Sequence, residues 1–140
     1  MMSEMVISFP GNLRVDAKLG ERVIPTDQSQ LSGGEGSAPE PFSLFLASIG
    51  TCAGIYVLRF CRTRDIPTDD IRLVQRVISK DGGGIGKIEI DIEVPPDFPK
   101  KYHKSLVHAA NYCAVKKVIE TPPEFETRTV VVGGEEAQSQ

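Results

Sequence analysis

The chain holds no tryptophan, two histidines, three cysteines and only 6% aromatic residues in a length of 140. Each scarcity removes a class of explanation. Three cysteines without dense spacing cannot build the disulfide framework that small secreted domains use, and an odd number suits a reducing compartment, so a cytoplasmic protein is expected. His103 and His108 stand five residues apart, about 140° around a helix, and do not share a chelating face. With no CxxC or HxxxH pair among Cys52, Cys61, Cys113 and these histidines, no zinc-type metal site is expected. Positive charge is also scarce: 16 Lys and Arg against 19 Asp and Glu give a net charge of -3. The basic residues are scattered rather than striped, which excludes the electrostatic footprint of a nucleic-acid binder.

Two further absences matter. The opening MMSEMVISFP carries Glu4 and no basic region ahead of an apolar stretch, so it does not read as a secretory signal. No apolar run is free of small or polar residues. The longest, residues 42–58, is diluted by Ser43, Ser48, Gly50, Thr51 and Gly54 and runs into Arg59, Arg62 and Arg64. It is expected to be the central helix of a packed core, with no membrane as partner. The glycines at 82–84, followed by Gly86 and Lys87, do not make a phosphate loop, because that pattern requires Gly at Asp81 and Ser or Thr at Ile88.

What is present is ordinary globular composition, 40% apolar and 25% charged, in a length that suits one domain over 1–140. Short β-prone runs at 5–9, 14–18 and 22–24, punctuated by Pro10-Gly11-Asn12 and Leu19-Gly20-Glu21, predict an antiparallel meander within 1–27. Residues 28–38 are a Gly- and Ser-rich loop, and a long helix over 41–64 follows, with Pro39 and Pro41 at its start. A strand is expected over 71–80. The alternation Lys87-Ile88-Glu89-Ile90-Asp91-Ile92-Glu93-Val94 has the period of a half-buried strand, joined to the first by a turn at 81–84. Asp97 is expected to cap a helix over 99–110 and Asn111 a short helix over 112–119, placing Cys113 in a first turn that favours a thiolate. Residues 127–132 read as a closing strand and 133–140 as a frayed tail.

Cys52 and Cys61 are nine residues apart on one helix, a half turn modulo full rotations, so they face opposite sides and cannot pair. Cys61, in Phe60-Cys61-Arg62, reads as core packing. For Cys52 the local features leave packing and nucleophilic chemistry both open. Hydrolysis by Cys52 with a histidine base has no support in the spacing.

Three segments together resemble the OsmC/Ohr family of organic hydroperoxide resistance and osmotically inducible proteins: Gly33-Gly34-Glu35-Gly36-Ser37-Ala38-Pro39 leading into Pro41-Phe42-x-Leu44, the helix LFLASIGTCAG around Cys52, and Ala110-Asn111-Tyr112-Cys113-Ala114-Val115. The resemblance implies an α+β domain whose antiparallel sheet wraps a long central helix, in an intertwined homodimer with two sites at the subunit interface. It implies reduction of organic hydroperoxides without metal or organic cofactor. By position, Cys52 resembles the peroxidatic thiol and Cys113 the resolving thiol, whose disulfide an external dithiol then reduces. The family pairs the reactive thiol with an arginine from the N-terminal strands. Arg14 matches that arginine and Arg22 is the second choice. The sequence departs from the family where a glutamate commonly follows the helix-opening proline. Here Phe42 and Ser43 occupy those positions, with Glu35 and Glu40 nearby. A non-catalytic binding or thiol-sensing dimer of the same fold is the alternative.

Overall fold

The computed structural model describes residues 3–133. Three N-terminal strands, β1 (Val6–Gly11), β2 (Arg14–Leu19) and β3 (Arg22–Thr26), form an antiparallel meander in that order. Asn12 turns the first hairpin at φ 47° and Gly20 the second at φ 59°. Both residue types tolerate the left-handed region. Helix α1 (Pro41–Arg62) follows, then the hairpin β4 (Arg72–Ser79) and β5 (Ile85–Glu93), and finally α2 (His103–Ala110) and α3 (Ala114–Glu120).

Helix α1 starts at Pro41, whose missing N–H costs nothing at a first helical position. It stops where Asp65 adopts φ 56° and the Ile66 N–H returns to the Cys61 carbonyl at 2.9 Å, a C-terminal cap that ends the helix two residues before the expected Arg64. Its buried residues, Ile49, Ala53, Val57, Phe60 and Cys61, recur at helical spacing along one face. Val57, Phe60 and Cys61 join Phe98, Leu106 and Ala110 in the core, with Leu73, Ile90 and Ile92 of the hairpin packed against them. The alternation along β5 therefore has the physical meaning expected of it. Isoleucines face α1 while Arg76 and Asp91, 2.6 Å apart, and Arg72 and Glu93 pair on the other face. Small residues in α1 let β4 approach closely. A Cβ on Gly50 would lie 2.7 Å from Gln75 Oε1, and Gln75 Nε2 donates to the Leu46 carbonyl at 3.0 Å.

Several expectations are corrected. Among the described residues the antiparallel sheet is not one sheet wrapped around the helix but two, of three and two strands. No core side chain comes from β1, β2 or β3, because the aliphatic residues of those strands find no covering layer within their own chain. Residues 127–132 are exposed and form no strand, since none of the strands among the described residues offers them a ladder. Asp97 sits in a turn and caps nothing. Pro99 opens a 3-10 turn, Lys100–Tyr102, that leads into α2. Asn111 closes α2 through its N–H to the Val107 carbonyl, 3.1 Å, and Cys113 takes the N-cap position of α3. Of the expected tail, residues 134–140 lie outside the described residues.

The loop between β3 and α1 is held by Asp27, which is fully buried. Its carboxylate accepts from the Ser37 hydroxyl at 2.5 Å, the Ser37 N–H at 2.9 Å and the Gln28 N–H at 2.7 Å. These bonds, the Ser37 hydroxyl foremost, hold the Asp27 carboxyl below the usual carboxylate range. The loop folds so tightly that a Cβ on Gly34 would run into the Gln28 carbonyl oxygen and lie 2.6 Å from its carbon. Both obstacles are backbone, which cannot swing away. Gly34→Ala should therefore destabilise the fold by about 1–3 kcal/mol, the range of overpacking, measured by urea unfolding. A midpoint equal to that of the wild type would refute the close approach.

Candidate active site

Cys52 lies on α1 immediately before Ala53 of the buried face, so its side chain is only partly covered. Cys113 is buried, 1% exposed, at the start of α3. The fold brings the two thiols together, because α3 docks against the middle of α1 and presents its first turn to Cys52. The Val115 N–H, the Cys113 thiol and the Ala114 N–H are grouped around the Cys52 sulfur. Together they draw the Cys52 pKa below the ordinary thiol value against the opposing effect of burial. Burial acts the other way on Cys113 and pushes its thiol up, although the Lys116 N–H reaches its sulfur at 3.5 Å. The Cys113 sulfur also lies 3.8 Å from the Ile49 carbonyl. The pair is asymmetric: the Cys52 pKa is drawn down and the Cys113 pKa is pushed up.

Cys61 is fully buried, and desolvation raises its pKa. It is a core residue of α1, on the side of the helix away from the thiol pair. A pH profile separates the three thiols. Alkylation of Cys52 by iodoacetamide should reach half its maximal rate at a lower pH than alkylation of an unperturbed cysteine, and Cys113→Ala should move that midpoint up by removing a donor. A midpoint unchanged by the substitution would show that the two sulfurs do not interact.

Arg14 lies on β2 with its Nη2 3.9 Å from Asp16 Oδ2. No arginine is among the groups that shift Cys52. Within one chain, then, the structure assembles the two cysteines but does not bring Arg14 to them. Arg22 is exposed, as are Glu35 and Glu40, and Glu40 stands at the N-cap of α1 without a side-chain capping bond. The carboxylate beside Arg14 is Asp16, one that the sequence offers no reason to single out except its position two residues away on the same strand face. Asp27, the anchor of the glycine loop, is likewise not singled out by any motif in the sequence. Its signal was an aspartate leading a Gly- and Ser-rich segment, the usual setting for a side chain that gathers backbone N–H groups.

A cavity of about 770 Å³ opens between α1, β5, α2 and α3, with Ile49, Ile88, Ile90, Val107 and Ala110 among its apolar walls and Cys113 also lining it. Phe42 and Phe45 do not line it and form an exposed aromatic pair on α1 with ring centroids 5.5 Å apart. Among the described residues no group of His, Cys, Asp and Glu is arranged to hold a metal ion.

Comparison with known proteins bears on the fold. A crystal structure of a proposed osmotic stress induced and detoxification response protein from Psychrobacter arcticus superposes with a TM-score of 0.68 at 22% identity, over 84% of this chain and 88% of that one. An OsmC-like protein from Mycoplasma pneumoniae gives 0.66 at 9% identity, over 87% and 89%. The organic hydroperoxide resistance protein OsmC from Legionella pneumophila gives 0.52 at 18% identity, over 85% and 89%. No curated protein sequence matches. The family model for OsmC-like protein matches residues 34–128, a span that takes in the glycine loop from Gly34, the whole of α1 and both cysteines of the pair. On that match the chain belongs to the OsmC-like protein family.

Proposed function

We propose that this protein is a thiol peroxidase for organic hydroperoxides, with Cys52 as the attacking thiolate and Cys113 as the resolving thiol. The observation that carries the reading is the meeting of two distant cysteines with opposite protonation tendencies. The Cys52 thiolate attacks the terminal peroxide oxygen, the O–O bond breaks, and the alcohol leaves after taking a proton. The resulting sulfenic acid condenses with the Cys113 thiol, forming a disulfide and releasing water. An external dithiol returns the pair to two thiols. No metal or organic cofactor enters these steps. The name of the Legionella relative, an organic hydroperoxide resistance protein, supports this substrate class.

The active form in this reading is a homodimer. Helix α1 is apolar over its length, yet only 22% of its most apolar window is buried within the chain. Phe42, Phe45 and Ile55 on α1, Val6, Ile7 and Val23 on the meander, and Phe125 and Val130 to Val132 beyond α3 are all exposed. A second copy that covers these surfaces also brings an N-terminal sheet to each cysteine pair, and Arg14 with it. Light scattering should then give twice the 15.3 kDa of one chain, and a single-chain mass at micromolar concentration would refute the dimer.

The test of the activity is intact mass with thiol counting before and after one equivalent of cumene hydroperoxide. Loss of two hydrogens, with a peptide linking Cys52 to Cys113, is the expected result. The substitution of the family glutamate by Phe42 and Ser43 favours a second reading, a binding or thiol-sensing dimer. Thiols unchanged by the peroxide would select that reading.

A further inference from the structure

We propose that the outer face of α2 and α3 is a docking surface for an anionic lipid bilayer, on which the protein lies without inserting a helix. Charge is the first observation. Residues 98–119 carry five of the chain's 16 Lys and Arg and none of its 19 Asp and Glu, so a basic segment stands on an acidic protein. Spaced along the sequence, these lysines are gathered by the fold. Lys100, Lys101 and Lys104 are exposed at the start of α2, and Lys104 and His108 stand one helical turn apart. The His108 ring meets the Tyr112 ring edge-on with centroids 5.1 Å apart, and Lys117 Nζ of α3 lies 4.8 Å from the centre of the same Tyr112 ring. A continuous row therefore runs from Lys104 through His108 and Tyr112 to Lys117, across both helices.

The second observation is what lies among the lysines. Val107, Tyr112, Val118 and Ile119 are all exposed on or between these helices. Aliphatic and aromatic side chains edged by lysines suit the headgroup level of a bilayer, where the apolar groups reach the acyl boundary and the ammonium groups stay with the phosphates. The choice of cation agrees. The segment holds no arginine, the side chain that reads phosphate and base in a fixed two-pronged geometry, and a fluid array of headgroups asks for no such geometry. A nucleic acid would leave the four apolar side chains without a use. Of the carboxylates that share the cavity with Val107 and Ile119, Asp91 is paired with Arg76 at 2.6 Å and Glu120 stands at the last position of α3.

This contact differs from the membrane span that the composition of α1 excludes, because α2 and α3 lie on the surface. It also bears on the site. Val107 and Ile119 line the cavity that reaches Cys113, so a bilayer on this face meets apolar walls rather than water. Delivery of a hydroperoxide from the bilayer to the cysteine pair would rest on the peroxidase reading; the docking itself does not.

The test is co-sedimentation of the full chain with vesicles of phosphatidylcholine alone and of phosphatidylcholine mixed with phosphatidylglycerol, at low ionic strength and again in concentrated salt. The expected result is sedimentation with the mixed vesicles only, lost in salt. Lys104→Gln with Lys117→Gln should lower the partition coefficient about thirtyfold, at the usual contribution of a lysine near an anionic surface. Lys18→Gln with Lys80→Gln, exposed lysines of β2 and of the residue after β4, should leave it unchanged. Val118→Ser should lower it about tenfold through the lost apolar contact while eluting from heparin as the wild type does. No sedimentation with the mixed vesicles, equal sedimentation with both kinds, or equal loss from the two lysine pairs would overturn the proposal. So would partition unchanged by Val118→Ser, or a protein held by heparin but not by vesicles, which would point to a nucleic acid.

Discussion

Serine in place of Cys52 is expected to lower the consumption of organic hydroperoxide by at least about a thousandfold, because a hydroxyl at neutral pH is almost never the anion that must attack. The reasoning rests on the environment of the sulfur. Three donors, the Val115 N–H, the Cys113 thiol and the Ala114 N–H, draw the Cys52 pKa down, and they stabilise a thiolate far better than they can create an alkoxide. Cys113→Ser separates the two steps of the cycle. It keeps a hydroxyl near Cys52, so one equivalent of peroxide should still be consumed. The sulfenic acid has no thiol to condense with and should be trapped on Cys52 by dimedone, while disulfide formation disappears. Stopped-flow peroxide consumption with mass mapping of the trapped product checks both variants. Full turnover by Cys52→Ser, or a trapped sulfenic acid on Cys113 instead, would reverse the assignment of roles.

Removal of the Asp27 carboxylate should have the largest effect on stability outside the core. Asp27→Ala strips three hydrogen bonds at once and leaves the Ser37 hydroxyl and the Ser37 and Gln28 N–H groups without their acceptor. Hydrogen bonds to a charged acceptor are the stronger kind, and the melting temperature should fall by roughly 10 °C for a domain of this size. The pH dependence carries the sign. Because the folded Asp27 pKa is depressed, its contribution is fully present above the carboxylate's unfolded value, about 3.9. It is lost as pH falls through the lower folded value. The gap in stability between wild type and variant should accordingly be widest near neutrality and close in strong acid. Thermal melts from pH 7 downward measure it, and a gap that stays constant would mean that the carboxylate charge plays no part in holding the loop.

The loop matters to the site as well as to stability. The Asp27 N–H donates to the Pro39 carbonyl at 3.2 Å, two residues ahead of Pro41, which opens α1. The entry of α1, and through it the position of Cys52, is thus tied to a carboxylate far from the thiols. Nothing in the periodicity of the chain points to that link. Aspartate beside a glycine-rich segment is common in ordinary turns, and only the converging bonds of Ser37 and Gln28 distinguish this one.

Helix α1, the alternating strand β5 and the turn at 81–84 are legible in the sequence, because each depends on contacts within a few residues: a proline at the first helical position, a two-residue period of isoleucine and charge, a run of glycines. Boundaries that depend on competition between neighbouring signals are not. Asn111 had every local qualification as an N-cap, yet it closes the preceding helix. Cys113 caps the next one, its sulfur accepting from the Lys116 N–H. The exposed residues 127–132 have the composition of a strand but pair with none among the described residues, and pairing is a property of two segments.

Sequence alone determined the local elements of this protein and, through three short segments, its family. Tertiary structure decided which atoms meet. That Cys52 and Cys113 are adjacent, that one is drawn toward the thiolate and the other pushed toward the thiol, and that a cavity opens beside Cys113 all depend on how α3 docks against α1. Those are consequences of long-range packing, in which the free energy of a contact is set by the burial and the hydrogen-bond donors that distant segments bring to it. No spacing along the chain encodes them.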